Sequence, residues 1–409
     1  MNERYIKRSL EPVLMRAAAE FPAVVLTGPR QSGKTTLLRH LFGESCRYVS
    51  LEPPDVRAAA REDPRAFLET FRPPVIFDEA QYAPDLFPYI KEKIDEDRHT
   101  AGQYLLTGSQ NLSLAQNISE SLAGRAAMLR LLPLSRREAE GRPGLALPWE
   151  PERTPDPTGV GRFAYEELWE TFLRGGYPEP FTHPERDTDL WHAGYVQTYL
   201  ERDVRSLRQV GDLAGFQSFL SVLAARSGQL LNLTDVARDI GVAVNTIKAW
   251  LSVLEATYQV IVLRPYFANV GKRLVKTPKV YFTDVGTLCH LAGLRDSAHA
   301  ASGPLGGAIM ETAVLSEIVK SATHRGLAPR VFFWRTRAGT EVDIVVESDG
   351  KLVPVEVKLS ATPRPRMAAS IRTFRNDLGA EAVLGYVVHP GNVRLPLGPG
   401  VTALPFSDL

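Results

Sequence analysis

Residues Gly28–Pro29–Arg30–Gln31–Ser32–Gly33–Lys34–Thr35 carry the spacing GxxxxGK[ST], a pattern built to hold phosphates. Its glycines let backbone N–H groups face phosphate oxygens, and the N-terminus of the helix that follows adds positive potential. With the helix read over Thr35–Phe42, Lys34 just before it reaches the β- and γ-phosphates of a nucleotide, Thr36 adds a contact beside them, and Thr35 offers its hydroxyl to Mg2+. Downstream, Pro74–Val75–Ile76–Phe77–Asp78–Glu79 is an apolar run that ends in two acids. Asp78 at the tip of such a strand is suited to hold Mg2+ through water, and Glu79 to polarise an attacking water as general base. An Asp–Glu pair by itself says little. Placed after a phosphate loop, it points to hydrolysis of a bound ATP.

Leu105–Leu106–Thr107–Gly108–Ser109–Gln110 is a further apolar run ending in small polar residues. If it lies beside the Asp78 strand, Ser109 or Thr107 can sense the γ-phosphate; otherwise it is an ordinary strand-to-turn transition. Leu112–Leu122 reads as a helix, and Arg125 follows just before the next apolar run. An arginine there suits an arginine finger on a neighbouring subunit's nucleotide, which requires a homo-oligomer. The plain alternative is a surface cation at a helix end.

A second constellation stands near the C-terminus. Glu341–Val342–Asp343–Ile344–Val345–Val346 alternates as a strand, Gly350 marks a turn, and Pro354–Val355–Glu356–Val357–Lys358–Leu359 forms a returning strand. The strand period of two puts Glu356 and Lys358 on one face, and a hairpin sets Asp343 beside Glu356. Paired carboxylates bind Mg2+ through hard oxygens, and a lysine alongside positions or activates water. Glu311, on the helical run Gly307–Lys320, can complete the cluster. A solvated hairpin face or an inert relic of a site is the competing reading. Just upstream, Trp334–Arg335–Thr336–Arg337 has the basic and aromatic character that suits a phosphate backbone.

These residues need elements to place them. Ala23–Thr27, Arg47–Leu51, Pro74–Phe77, Gln103–Thr107 and Ala126–Leu132 read as strands alternating with helices, so residues 1–140 predict a doubly wound α/β domain with a parallel sheet. The prolines of 141–162 read as a linker or surface loop. Residues 163–295 are mainly helical, with Leu190–Val204 as one helix, and 296–409 mix helix and strand again. Within the middle segment Leu233–Ile240, with Thr234 as candidate cap, and the helix opening at Asn245 are joined at Gly241, a helix-turn-helix pattern. Val260–Leu263 and Lys279–Phe282 can form the strands of a wing. Lys272, Arg273, Lys276 and Lys279 lie between or on those strands, and Lys248 is the one early cation of the second helix. Such cations suit phosphate contacts, which position a protein without reading sequence. Docking of protein is the alternative use of the same surface.

Gly28–Thr35, Val75–Glu79, Leu105–Gln110 and Leu122–Arg125 together resemble the core of prokaryotic AAA-type ATPases. Arg174–Glu179, Tyr199–Asp203 and Gly271–Asp284 resemble the AAA proteins that carry a C-terminal domain of uncharacterised function. Asp343 with Glu356–Val357–Lys358 resembles the PD-(D/E)XK nuclease signature, with Glu311 in place of its helical acid, although the first strand lacks the literal Pro-Asp. The resemblance implies an ATPase domain, a winged-helix segment and a nuclease-like α/β domain acting on DNA. A non-nucleolytic ATPase switch or protein remodeller is the rival, and a signalling ATPase of a stress or defence system is a third reading.

Composition sets the outer bounds. The 409 residues exceed one ordinary core, and 44% hydrophobic with 23% charged residues is a globular balance. A net charge of +1 gives no whole-molecule pull toward nucleic acid, so such contact needs a local patch. Cys46 and Cys289 stand far apart with no Cys/His cluster, which predicts reduced core thiols rather than zinc or a disulfide. No apolar run reaches membrane-spanning length and the first residues are charged, so a cytoplasmic protein without membrane contact is expected.

Overall fold

The computed structural model describes residues 5–108, 121–150, 164–199, 204, 212–266, 277–379 and 384–409. The chain divides into two units. One comprises residues 1–134 with 256–258 and 323–327, and the other comprises 135–255, 259–322 and 328–409.

The first unit is built on five parallel strands: β1 (Ala23–Thr27), β2 (Arg47–Ser50), β3 (Val75–Asp78), β4 (Tyr104–Gly108) and β5 (Ala126–Arg130). Their order across the sheet is β2-β3-β4-β1-β5, every pairing parallel. Strands buried on both faces read as unbroken apolar runs, and β1, β3 and β4 do so because each face carries its own core. Ala23, Val25, Val75, Phe77, Tyr104 and Leu106 pack on one side under the helices Pro64–Thr70 and Leu86–Glu96. Val24, Leu26, Ile76 and Leu105 pack on the other, under Glu11–Glu20 and Lys34–Phe42. Adjacent strands β1 and β4 send their connections in opposite directions along the sheet. That reversal opens a crevice at their carboxyl ends, the usual ligand position in such sheets.

The second unit is built on an eight-stranded mixed sheet with order β12-β13-β11-β10-β9-β8-β6-β7. Its strands are β6 (Val260–Pro265), β7 (Lys279–Phe282), β8 (Val331–Arg335), β9 (Glu341–Ser348), β10 (Lys351–Val357), β11 (Gly385–His389), β12 (Leu395–Gly398) and β13 (Val401–Pro405). The helix Ala369–Leu378 lies over β9 and β10, packing Phe374 against Trp334, Val342, Val345 and Leu352.

Several expectations change here. Val260–Leu263 and Lys279–Phe282 pair antiparallel as expected, and β6 also pairs in parallel with β8, so the pair continues the eight-stranded sheet with β7 at its edge. The two helices before it, Leu233–Ile240 and Val244–Ala256, stand as expected around Gly241 at φ 80°. The cap of the first is Asn232, which accepts from the amides of Thr234 and Asp235, and not Thr234 itself. Residues 141–150 form a loop without helix or strand, held by a buried Leu147, by Arg137 donating to the Ala146 carbonyl at 2.8 Å and by Trp149 packing on Tyr386, while 151–162 lie outside the described residues. Of the helix expected over Leu190–Val204, Thr188–Tyr199 is helical, and residues 200–203 lie outside the described residues. Trp334 lies in the core of the second unit, so the aromatic part of Trp334–Arg337 is not available to a phosphate backbone. Both cysteines are buried free thiols, and burial raises the pKa of each. Among the described residues no helix is long and apolar enough to cross a membrane.

Candidate active site

The phosphate loop leaves β1 at Thr27 and enters the helix Lys34–Phe42. Gly28 is required there twice over. Its φ is +149°, and an added Cβ would come within 2.0 Å of the Leu131 carbonyl oxygen, which belongs to the segment after β5. Gly33 caps the helix at φ 94°, a left-handed conformation that glycine adopts without cost. The loop is braced from behind. Arg8, 3% exposed, donates from Nη1 to the Ser32 carbonyl at 2.8 Å and from Nη2 to the Leu132 carbonyl at 2.7 Å. Tyr5 stacks on His40 of the same helix, with ring centroids 3.6 Å apart.

Lys34 is 5% exposed, and its ammonium lies against the loop's own Gly28 and Pro29 carbonyls at 3.0 and 2.8 Å. Ser32 Oγ is buried and makes no hydrogen bond. A buried ammonium and a buried hydroxyl on a loop that opens into a helix fit the oxygens of a triphosphate.

Asp78 ends β3 and is 6% exposed. Thr35 Oγ1 donates to it at 3.0 Å from each carboxylate oxygen, Thr107 donates to Oδ1, and Tyr48 donates to Oδ2 at 2.7 Å. A hydroxyl and a carboxylate at this spacing are the hard oxygen donors that Mg2+ takes. Held there with a nucleotide, Mg2+ would supply neutralising charge on the phosphates. Glu79 follows in the left-handed region, φ 54° and ψ 47°, a conformation rare for a side chain of this size and held only where surroundings enforce it. Its N–H donates to Thr107 Oγ1 at 3.1 Å, and Gln81 donates to its carboxylate. One threonine therefore ties the strand end of β4 to both acids. A carboxylate so placed is suited to take a proton from water attacking at the loop.

Lys34, Thr35, Asp78, Glu79 and Thr107 thus come together at the carboxyl end of the sheet. Ser109 lies outside the described residues. Arg125 does not join them. It stands before β5, at the amino end of strands about 16 Å long, and holds Asp95 bidentately at 2.7 and 2.9 Å. The sequence reading missed Tyr48 and Arg8. Tyr48 had a signal: it lies two residues before Ser50, the register partner of Asp78, and so on the same face of β2. Arg8 had none.

In the second unit, β9 and β10 pair Ile344 with Val355, which sets Asp343 opposite Glu356. Lys358 Nζ lies 2.5 Å from Glu356 Oε1, Ser370 donates to Oε2 at 2.8 Å, and Asp343 accepts from the Val357 amide at 2.8 Å. Glu311 sits on the helix Gly306–His324, accepting from Tyr281 and from Lys279 at 3.0 Å. Burial, with Asp343 nearby, pushes Glu311 up to about 8 and Glu356 up to about 7. Lys279, read as a wing cation, is 3% exposed and also pairs with Glu341. Burial alone would pull its ammonium down, but Glu311, Asp343 and Glu341 together hold it above its ordinary value. The expected metal cluster is therefore electrostatically linked without being closed: among the described residues no three His, Cys, Asp or Glu side chains group to hold a metal ion. Arg335 pairs with Glu341 at 2.6 Å. Lys248 is exposed on its helix, and Lys272, Arg273 and Lys276 lie outside the described residues.

Residues 20–140 match the family described as AAA domain. Residues 165–298 and 306–409 match two domains of unknown function, DUF8612 and DUF4143. Over 408 residues the chain is 35% identical to the uncharacterized proteins Rv2008c of Mycobacterium tuberculosis and Mb2031c of Mycobacterium bovis, covering 98% of this chain and 84% of each relative. The chain belongs to the family of these two proteins. Its first unit carries the AAA domain, and with the loop, lysine and acid pair assembled it is a P-loop ATPase. Among solved structures, a Walker-type ATPase of Pyrococcus abyssi is similar over 71% of this chain and 97% of its own, at TM-score 0.46 and 16% identity. The RuvB Holliday junction branch migration motor of Thermotoga maritima is similar over 62% of this chain and 85% of its own, at TM-score 0.30 and 16% identity.

Proposed function

We propose that this family member couples ATP hydrolysis, with Mg2+ held at Thr35 and Asp78, to action on nucleic acid, DNA being favoured. The observation that carries the reading is the convergence of Asp343, Glu356 and Lys358 on adjacent strands, with Glu311 on the neighbouring helix. Carboxylates and a lysine so arranged are the donor set of metal-assisted phosphodiester cleavage, and the helix pair around Gly241 presents Lys248 as a phosphate contact. In this reading the second unit is a winged-helix and nuclease-like assembly that answers to the γ-phosphate state of the first. A homo-oligomer is part of it, because Arg125 reaches a phosphate only on a second copy of the chain and only after leaving Asp95.

The test is ATP turnover by the purified protein with and without single-stranded, duplex, flapped and junction DNA, with cleavage of each followed in Mg2+ and Mn2+. Stimulation of turnover by DNA supports the reading. Turnover indifferent to every DNA, with no cleavage, sinks it.

One observation favours a second reading, a non-nucleolytic switch or protein remodeller. Lys279 already meets the charge of Glu311 and Glu341 from within the fold. An acid cluster neutralised by its own lysines serves as scaffold as readily as a metal site.

A further inference from the structure

Tyr48 stands on β2, an edge strand of the first sheet, 36% exposed, with the Arg39 guanidinium 5.1 Å from its ring centroid. Its hydroxyl reaches inward to Asp78 Oδ2 at 2.7 Å. Nothing in the phosphate-loop motif or in the acid pair calls for a tyrosine here.

The donors around Asp78 divide unevenly. Thr107 serves Oδ1, Tyr48 serves Oδ2, and Thr35 is shared between the two oxygens. Thr35 is also the loop residue whose hydroxyl suits a metal ion. When that hydroxyl turns to a cation, Asp78 keeps one fixed donor on each oxygen, Thr107 and Tyr48. Without the Tyr48 hydroxyl, Oδ2 has only Thr35, and the carboxylate and the cation compete for a single group.

We propose that Tyr48 is a positioning residue that clamps Asp78 for Mg2+ recognition by the nucleotide-bound loop. The assignment rests on the reading that Thr35 and Asp78 hold Mg2+. It makes β2 part of the site, so anything that displaces this edge strand alters metal affinity before it alters nucleotide affinity.

The experiment compares full-length wild type with Tyr48→Phe, which keeps the ring on Arg39 and removes only the hydroxyl. Thermal stabilisation by ADP is measured across a Mg2+ titration, and ADP affinity is measured in EDTA. Losing a group that orients a metal's carboxylate costs about tenfold or more in metal affinity. The expected result is a half-saturating Mg2+ concentration raised about tenfold in the variant, with EDTA affinity for ADP unchanged. Steady-state ATP turnover should recover at high Mg2+. Identical Mg2+ curves for the two proteins overturn the role of Tyr48, as does an equal loss of ADP affinity in EDTA. A wild type whose ADP complex ignores Mg2+ overturns the metal reading itself, and the inference with it.

Discussion

The Lys279 ammonium lies 3.0 Å from Glu311 Oε1, and it also holds Glu341. Edge strand β7 is thereby pinned to the helix Gly306–His324 and to β9. Glu311, raised to about 8, keeps its proton at neutral pH, so the ion pair that the substitution breaks there is the one with Glu341. Removing one partner of a buried ion pair costs about 3–5 kcal/mol. Lys279→Met should lower the unfolding free energy of the second unit by about that amount. All five tryptophans of the chain, Trp149, Trp169, Trp191, Trp250 and Trp334, lie in this unit, so urea unfolding followed by tryptophan fluorescence reads it selectively. An unchanged urea midpoint would contradict the assignment.

The same cluster sets a pH dependence. Glu311 at about 8 and Glu356 at about 7 stay protonated in the fold at pH values where the unfolded chain has released those protons. The folded state then binds more protons than the unfolded one, so stability falls as pH rises from the ordinary glutamate range to about 8. The fluorescence-detected urea midpoint should be higher at pH 5.5 than at pH 8, and Glu311→Gln should flatten the slope. A midpoint that climbs over this interval would contradict the burial of these acids.

Gly28→Ala places a Cβ 2.0 Å from the Leu131 carbonyl, on a backbone already at φ +149°. Overpacking at a rigid site costs about 1–3 kcal/mol, and backbone displaced here is the phosphate loop itself. The variant should melt earlier and bind a fluorescent ATP analogue at least about tenfold more weakly, since 1.4 kcal/mol is a factor of ten. Equilibrium titration of the analogue against wild type checks this. Wild-type affinity would show that the loop adjusts freely.

Arg8 joins the Ser32 and Leu132 carbonyls, the loop and the segment after β5, through one guanidinium. A lysine has one point of charge where arginine has a planar fork, so it cannot make both bonds in this geometry. Arg8→Lys should raise the KM for ATP several-fold while kcat changes little, because the loop loses its brace and Glu79 does not. Steady-state kinetics separates the two. A fall in kcat at constant KM would place Arg8 in the chemistry instead.

The parallel sheet was legible because its strands are buried on both faces and so appear as apolar runs, such as Val75–Phe77 and Tyr104–Leu106, each ending in a polar residue at the site. Local spacing also showed Lys34, Thr35, Asp78 and Glu79, since each sits where a strand or helix begins or ends. The hairpin that sets Asp343 beside Glu356 was legible, but pairings between elements far apart in sequence were not. Nothing local announces that β6 pairs with β8, Arg264 beside Phe332 and Pro265 beside Phe333, or that Lys279 faces inward to Glu311. A lysine in a basic stretch looks solvated until the acids opposite it are known. Arg8 and Tyr48 act through carbonyl and carboxylate partners brought near only by the fold.

The most direct test of the whole account is the turnover of ATP by Glu79→Gln alongside Lys34→Ala. If Glu79 takes the proton from attacking water, its amide should lower kcat by about 10²–10⁴-fold while nucleotide affinity holds. Lys34→Ala should lose nucleotide affinity itself. Turnover in Glu79→Gln close to wild type, or undiminished nucleotide binding in Lys34→Ala, would contradict it.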